Sequence, residues 1–383
     1  MKGKQMLGLV SGSVLVVALI IFVSVGHATK SKTTKSQPVT TRAVRQYNQW
    51  CAAYLSGSNK QQFVKTNDSK GALKTVSEAQ GYGMLATILA AQQGARNQAT
   101  FNRLYHYYQA HQISAKNPLM MWEQQQRNGQ MNSVSTEQNS ATDGDLDIAY
   151  ALILADKKWG STAKNNYRQA ANQLLAAIQA HEMNPTTYLP RLGSWATGTD
   201  SANLVRTSDL MTTHFKLFAT FTKATFWQHA ATNSQRAIAK LSARTTTGLF
   251  PDMITISGAN LTMTAVTSNH AEDNQYAYNA CRVPWRLAAT YATDHDAISK
   301  QALQKMLTFF ANQSQIKAVY QLDGTVVGNY QSVAFKAPIA YAAQVMRNAT
   351  LTKKIGATLT NKINSNDYYA TTLQVLTSLA ADE

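Results

Sequence analysis

With 383 residues, the chain is long enough for one large domain or two and for a sizeable core. Its 36 Lys and Arg outnumber 20 Asp and Glu to give a net charge of +16, and seven of the positive charges, at Lys2, Lys4, Lys30, Lys32, Lys35, Arg42 and Arg45, lie in the first 45 residues, which hold no acid. No zinc-finger, RNP or helix-turn-helix signature accompanies that charge, which argues against nucleic acid as a partner. Like-charge repulsion argues mildly against a polycationic substrate, so an anionic wall polymer or a membrane surface fits the charge better.

The first element is the apolar run Met6 to Val25, flanked by lysines on both sides. It reads as an export signal: either a signal peptide over 1–28, cut near Gly26-His27-Ala28, or an anchor that spans the ~30 Å bilayer core. Residues 29–41, rich in Ser, Thr and Lys, read as a solvated linker, and residues 42–383 as the catalytic domain. There the pattern is helix after helix, Ala-rich, with apolar residues three and four apart. Helices are predicted over 43–55, 78–95, 98–112, 143–158, 161–182, 207–222, 225–242, 274–293, 295–312, 332–347, 350–362 and 366–381. Strand signals are scarce. Long connections over 56–77, 113–142, 183–206, 243–273 and 313–331 alternate with short turns, as in a toroid of inner and outer helices whose long loops line a groove on one face.

Three segments carry chemistry. The first, Ser77-Glu78-Ala79-Gln80-Gly81-Tyr82-Gly83-Met84, sets a carboxyl at the mouth of an apolar helix. A Glu there is ordinarily a first-turn acid favoured by the helix dipole. Two glycines inside a helical pattern, each costing about 1 kcal/mol, mark the close approach of something else. In the second, Asp143-Gly144-Asp145-Leu146-Asp147, Asp143 can cap a helix, yet three acids are more than capping needs. The third is Tyr276-Ala277-Tyr278-Asn279-Ala280-Cys281-Arg282-Val283-Pro284-Trp285-Arg286.

These segments resemble the signatures of glycoside hydrolase family 8, the first two closely, and the likeness extends over most of residues 45 to 380. The resemblance implies an (α/α)6 barrel with a sugar cleft across one end. It implies that Glu78 donates a proton to the leaving oxygen and that Asp143 binds and helps distort the sugar at the cleavage point. The third segment departs from its pattern: many relatives carry their proton-accepting aspartate where this chain has Asn279, and a carboxamide takes up no proton near neutral pH. A branch of the family uses a carboxylate from a nearby loop instead. Glu272 is the first choice for that role, with Asp273, Asp252 and Asp209 as alternatives.

Sugar rings present apolar faces edged with hydroxyls, so a cleft needs aromatic platforms beside polar groups. Trp122, Trp195, Tyr82, Tyr276 and Tyr278 are the candidates, with Asp145 and Asn279 as polar neighbours and Arg282 holding the acids by ion pairing. Met84, Trp159 and Trp227 read as core, Trp285 and Arg286 as support. Cys51 and Cys281 lie in no metal-ligand spacing; they are either one disulfide or two small buried residues. The expectation is therefore an exported or membrane-anchored endo-acting hydrolase, a monomer without metal or cofactor, that cleaves a β-linked polysaccharide with inversion. The alternative, motivated by Asn279, is a carbohydrate-binding protein of the same fold without turnover.

Overall fold

The computed structural model describes residues 41–66, 71–133, 139–267 and 270–381. The signal or anchor segment and all of the linker but its last residue lie outside this set. Among the described residues no helix is long and apolar enough to cross a membrane.

Twelve α-helices are present among the described residues: α1 Arg42–Tyr54, α2 Ser77–Gln92, α3 Gln98–Ala110, α4 Thr142–Trp159, α5 Tyr167–His181, α6 Thr212–Thr222, α7 Thr225–Ala243, α8 Val283–Asp294, α9 Ala297–Asn312, α10 Val333–Val345, α11 Ala349–Ile355 and α12 Tyr368–Ala381. The even-numbered helices close a ring, α2 against α4, then α6, α8, α10, α12 and back to α2. The odd-numbered ones pack outside, α3 on α2, α5 on α4, α7 on α6, α9 on α8 and α11 on α10. Composition explains the division. Every residue of α2 from Ala79 to Ala91 is buried, so that helix is apolar all round, whereas α1, α5 and α7 bury one face and expose the other. This is the expected (α/α)6 barrel.

Several predicted starts moved. The helix expected from 207 begins at Thr212, because Leu204–Arg206 pairs as a strand and Thr207–Asp209 forms a 3-10 turn. The one expected from 274 begins at Val283, because Tyr276 bridges to Tyr320 in extended conformation ahead of the 3-10 turn Ala280–Arg282. Among the described residues the long connections also hold five small antiparallel sheets of two or three strands. Their strands run only three to five residues, too short for the alternation that betrays a strand in sequence. One sheet, Lys74–Val76 with Glu123–Arg127 and Gln130–Ser133, leads directly into α2.

Gly81 and Gly144 set the contact between the starts of α2 and α4. A Cβ on Gly144 would lie 2.6 Å from the Ser77 carbonyl carbon and 2.7 Å from the Glu78 nitrogen, and one on Gly81 would lie 2.9 Å from the Gly144 oxygen. The first turns of α2 and α4 therefore touch backbone to backbone. What the glycines admit is a neighbouring helix.

Candidate active site

Residues at the starts of several inner helices converge on one end of the barrel, and there Glu78, Tyr82, Asp143 and Arg282 meet. Glu78 lies in the first turn of α2, Asp143 in the first turn of α4 and Arg282 immediately ahead of α8. Nη1 of the buried Arg282 donates to Glu78 Oε2 at 2.8 Å, to Asp143 Oδ2 at 2.9 Å and to the Tyr82 hydroxyl at 3.0 Å. One guanidinium nitrogen thus gathers both acids, with α2 and α4 already pressed together by their glycines.

The two carboxyls are driven apart in acidity. Burial pushes Glu78 up to about 7, with the Asp143 charge adding to the rise against the pull of Arg282. Its side chain keeps 21% exposure, so it reaches solvent. Asp143 is almost sealed; burial would raise it, but the charges of Arg206 and Arg282 outweigh that cost and hold it well below the usual carboxylate range. Arg206 Nη1 stands 3.2 Å from Asp143 Oδ2 and 3.0 Å from Asp209 Oδ2, and burial pushes Asp209 up to about 6. The site thus holds one acid that titrates near neutral pH beside one persistent anion.

Asn279 is pinned from both ends. Its Nδ2 donates to Asp252 Oδ2 at 3.1 Å, while its Oδ1 accepts from Arg282 Nη2 at 3.0 Å. Asp252 further accepts from the backbone nitrogens of Ala277, Asn279 and Ala280 at 3.0, 2.9 and 2.7 Å, so it organises the turn that delivers Arg282. Asp252 and Asp209 are buried and occupied, which removes them from contention as groups that address a groove. Glu272 is exposed on the 3-10 turn Ala271–Asn274, which Asn274 fastens to the backbone of Val266 through bonds of 3.0 and 2.8 Å; Asp273 is half-buried on the same turn.

Three nominated aromatics lie open: Trp122 at 50% exposure, Trp195 at 49% and Tyr278 at 40%. Trp122 is tied to the acid's own helix, since its carbonyl accepts from the Ser77 nitrogen at 2.8 Å. The Tyr278 hydroxyl meets that of Tyr330 at 2.9 Å, adding a second exposed ring that the sequence reading missed. Tyr82 and Tyr276, expected as platforms, are instead fully buried. Tyr82 is backed edge-on by Trp285 and spends its hydroxyl on Arg282, and Tyr276 packs among Phe310, Tyr320 and Phe335. Asp145, expected beside the sugar, is also sealed and accepts from the Met120 nitrogen at 3.0 Å; it holds a loop. Asp147 binds Arg286 through both oxygens, at 3.0 and 2.6 Å, and His214 at 2.8 Å. Cys51 and Cys281 are free thiols.

Arg206, Glu182 and Tyr330 went unnominated because none lies in a motif, Arg206 and Tyr330 in long connections and Glu182 at the end of α5. Only the pattern Arg206-Thr207-Ser208-Asp209 ahead of an apolar helix carried a signal.

Comparison with known proteins agrees with this architecture. The model of glycosyl hydrolases family 8 matches residues 23–383. A beta-glucanase of Niallia circulans is 36% identical over 325 residues, covering 81% of this chain and 78% of that protein. An endoglucanase of Bacillus sp. strain KSM-330 is 32% identical over 277 residues, 70% of this chain but only 58% of its own length. The apo structure of a beta-1,3-1,4-glucanase from Paenibacillus sp. X4 superposes with a TM-score of 0.80 at 34% identity, covering 89% and 90% of the two chains. A cold-adapted family 8 xylanase, at 20% identity and a TM-score of 0.71, shares the fold. With its paired acids, clamping arginine and inner helix ring, the chain belongs to glycosyl hydrolases family 8 and is a glycosidase.

Proposed function

We propose that the protein is an exported, endo-acting hydrolase of β-linked glucan that works by inversion, with Glu78 as general acid, Asp143 as the anion that steadies the sugar ring, and Glu272 as the base. The observation that carries this reading is the divergent acidity of two carboxyls held by one Arg282 nitrogen. A general acid must be protonated at the working pH, and a ring with oxocarbenium character is steadied by a carboxylate that stays charged. Glu78, raised to about 7 and partly exposed, suits the first task, and the depressed Asp143 suits the second.

The base is proposed at Glu272 because position 279 holds a carboxamide whose amide is committed to Asp252 and Arg282. With Asp252 and Asp209 sealed, the loop acids remain to activate water, the exposed Glu272 ahead of the half-buried Asp273. Inversion needs about 6.5 to 9.5 Å between acid and base. Asp143 shares a nitrogen with Glu78 and is charge-neutralised there, which suits it to binding better than to carrying water. The open rings of Trp122, Trp195 and Tyr278 favour an extended chain, and the glucanase relatives favour glucose units. Export rests on the Met6–Val25 run alone.

Release of new reducing ends from mixed-linkage β-glucan, with the product anomer followed by proton NMR, tests the reading. Wild type should release α-anomers first, and both Glu78→Gln and Glu272→Gln should lose at least a hundredfold in rate, in keeping with the ~10²–10⁴ that acid–base catalysis supplies. Equal rates in Glu78→Gln and wild type would refute the acid; an initial β-anomer would refute inversion.

A further inference from the structure

Directly behind Asp143 lies a second pair of acids that the proposed mechanism does not use. Asp145 and Glu182 are both fully buried, and each has one oxygen, Oδ2 and Oε2, that meets no hydrogen-bond donor among the described residues. Their other oxygens are engaged: Asp145 Oδ1 accepts from the Met120 nitrogen at 3.0 Å, and Glu182 Oε1 accepts from the Ser140 hydroxyl at 2.5 Å. Two carboxylates sealed together without a cation on either is an arrangement that a shared proton resolves. A single proton between Asp145 Oδ2 and Glu182 Oε2 leaves every oxygen of the pair satisfied.

We infer that Glu182 is a positioning residue: through the proton it shares with Asp145, it locks the two loops that carry Trp122 and Trp195 onto the first turn of α4. Met120, held by Asp145, is two residues from Trp122. Ser140, held by Glu182, exchanges bonds with Ser194, its nitrogen donating to Ser194 Oγ at 3.2 Å and its Oγ accepting from the Ser194 nitrogen at 3.3 Å, beside Trp195. Gly193 permits that approach, since a Cβ there would lie 2.2 Å from the Ser140 oxygen.

The groups facing the pair are Asp143 on α4, Asp209 ahead of α6 and Tyr108 on α3, with Arg206 spent on Asp143 and Asp209. None of these donates to the two unpartnered oxygens. Burial pushes Glu182 up to about 8 and raises Asp145 as well, the like charges adding to the effect. Because the folded state holds a proton that the unfolded chain releases near its ordinary carboxyl range, the lock stabilises most at low pH and is lost as pH rises through about 8.

The consequence for sugar binding rests on the glycan-groove reading; the proton itself does not. Urea denaturation of the full chain from pH 5 to 9 is the first measurement. Wild type should lose stability with rising pH more steeply than Glu182→Gln, by about one proton, since the amide supplies the hydrogen bond without titrating. The second compares KM and kcat on mixed-linkage β-glucan at pH 6. Glu182→Gln should stay within about twofold of wild type, while Glu182→Ala should raise KM at least fivefold with a smaller change in kcat. Parallel pH slopes in wild type and Glu182→Gln would overturn the shared proton, as would a Gln variant that is crippled at pH 6. An unchanged KM in Glu182→Ala would overturn the positioning role; should that variant fail to fold, Ser140→Ala, which unties Glu182 from the loop of Trp195 and is expected to raise KM, stands in for it. If no form turns over any glycan, the denaturation arm still decides the proton, and retardation of wild type and the variants in β-glucan gels decides the positioning role.

Discussion

Glu78 shows how one side chain acquires its chemistry from burial and three neighbours. Desolvation raises it and Asp143 raises it further, while Arg282 and Arg206 draw it down, and the balance settles at about 7. Below that pH the proposed acid carries its proton; above it the proton is gone. The rate of glycan cleavage should therefore fall as pH rises through about 7, and Arg206→Ala, which removes one counteracting cation, should shift that limb to higher pH. A pH–rate profile of both forms checks the direction; an unmoved limb would assign it to another group. The stability sign is consistent, because a carboxyl raised on folding favours the folded state at low pH and withdraws that support as it ionises near 7. Asp143 does the opposite, contributing above the ordinary aspartate range and losing its contribution as acid is added.

At the scale of the helix, one short string of acids does three jobs. Asp143, Asp145 and Asp147 stand two apart on the first turns of α4, and a two-residue step on a helix turns each to a new neighbour: the site arginines, the loops and α8. The sequence told that the acids exceeded what capping needs, and it singled out Glu78, Asp143 and Arg282 because their motifs are local. It could not tell which aspartate faced where. The answer lies in partners such as Arg282, 139 residues from Asp143, and Glu182, which has no motif of its own. Tyr82 was misread for a related reason: a tyrosine beside a carboxyl and glycines looks like a cleft ring until Trp285 is found behind it. The helices themselves were legible through periodicity; their starts slipped where a 3-10 turn or a short strand preceded them, and at α5, expected from 161, where irregular loop runs on to Asn166.

The contact that Gly144 allows yields a prediction at this scale. Gly144→Ala places a methyl 2.6 Å from the Ser77 carbonyl carbon, backbone that cannot swing away. Overpacking of this kind typically costs about 1–3 kcal/mol. Thermal unfolding should show that loss, and activity should drop further than stability explains, because the shift separates Glu78 from Asp143. A variant as stable and as active as wild type would contradict the backbone contact.

Over the whole barrel, catalytic and structural tasks fall at different heights. The acids and open rings occupy the end where the inner helices begin. Deeper in, Asp147 joins α4 to α8 through Arg286 and to α6 through His214, a sealed ion pair that braces half of the inner ring. Removing one partner of such a pair ordinarily costs about 3–5 kcal/mol, because it strands the other. Asp147→Ala should lower stability by that amount in a urea titration, with Asp147→Asn less severe. A loss under 1 kcal/mol would show that the brace is dispensable. At this depth Leu85, Leu89, Trp285, Ala289 and Val345 line a cavity of about 530 Å³, away from Glu78.

The two sulfurs have a quieter consequence. Cys281 is entirely covered and adjoins the clamping arginine, burial lifting its thiol to about 12, and Cys51 is lifted to about 11. Neither is bridged, so the fold asks for no oxidant on its way to completion and loses no crosslink to a reductant. Such a molecule should regain its fold equally well with and without dithiothreitol, a comparison that refolding from urea makes directly.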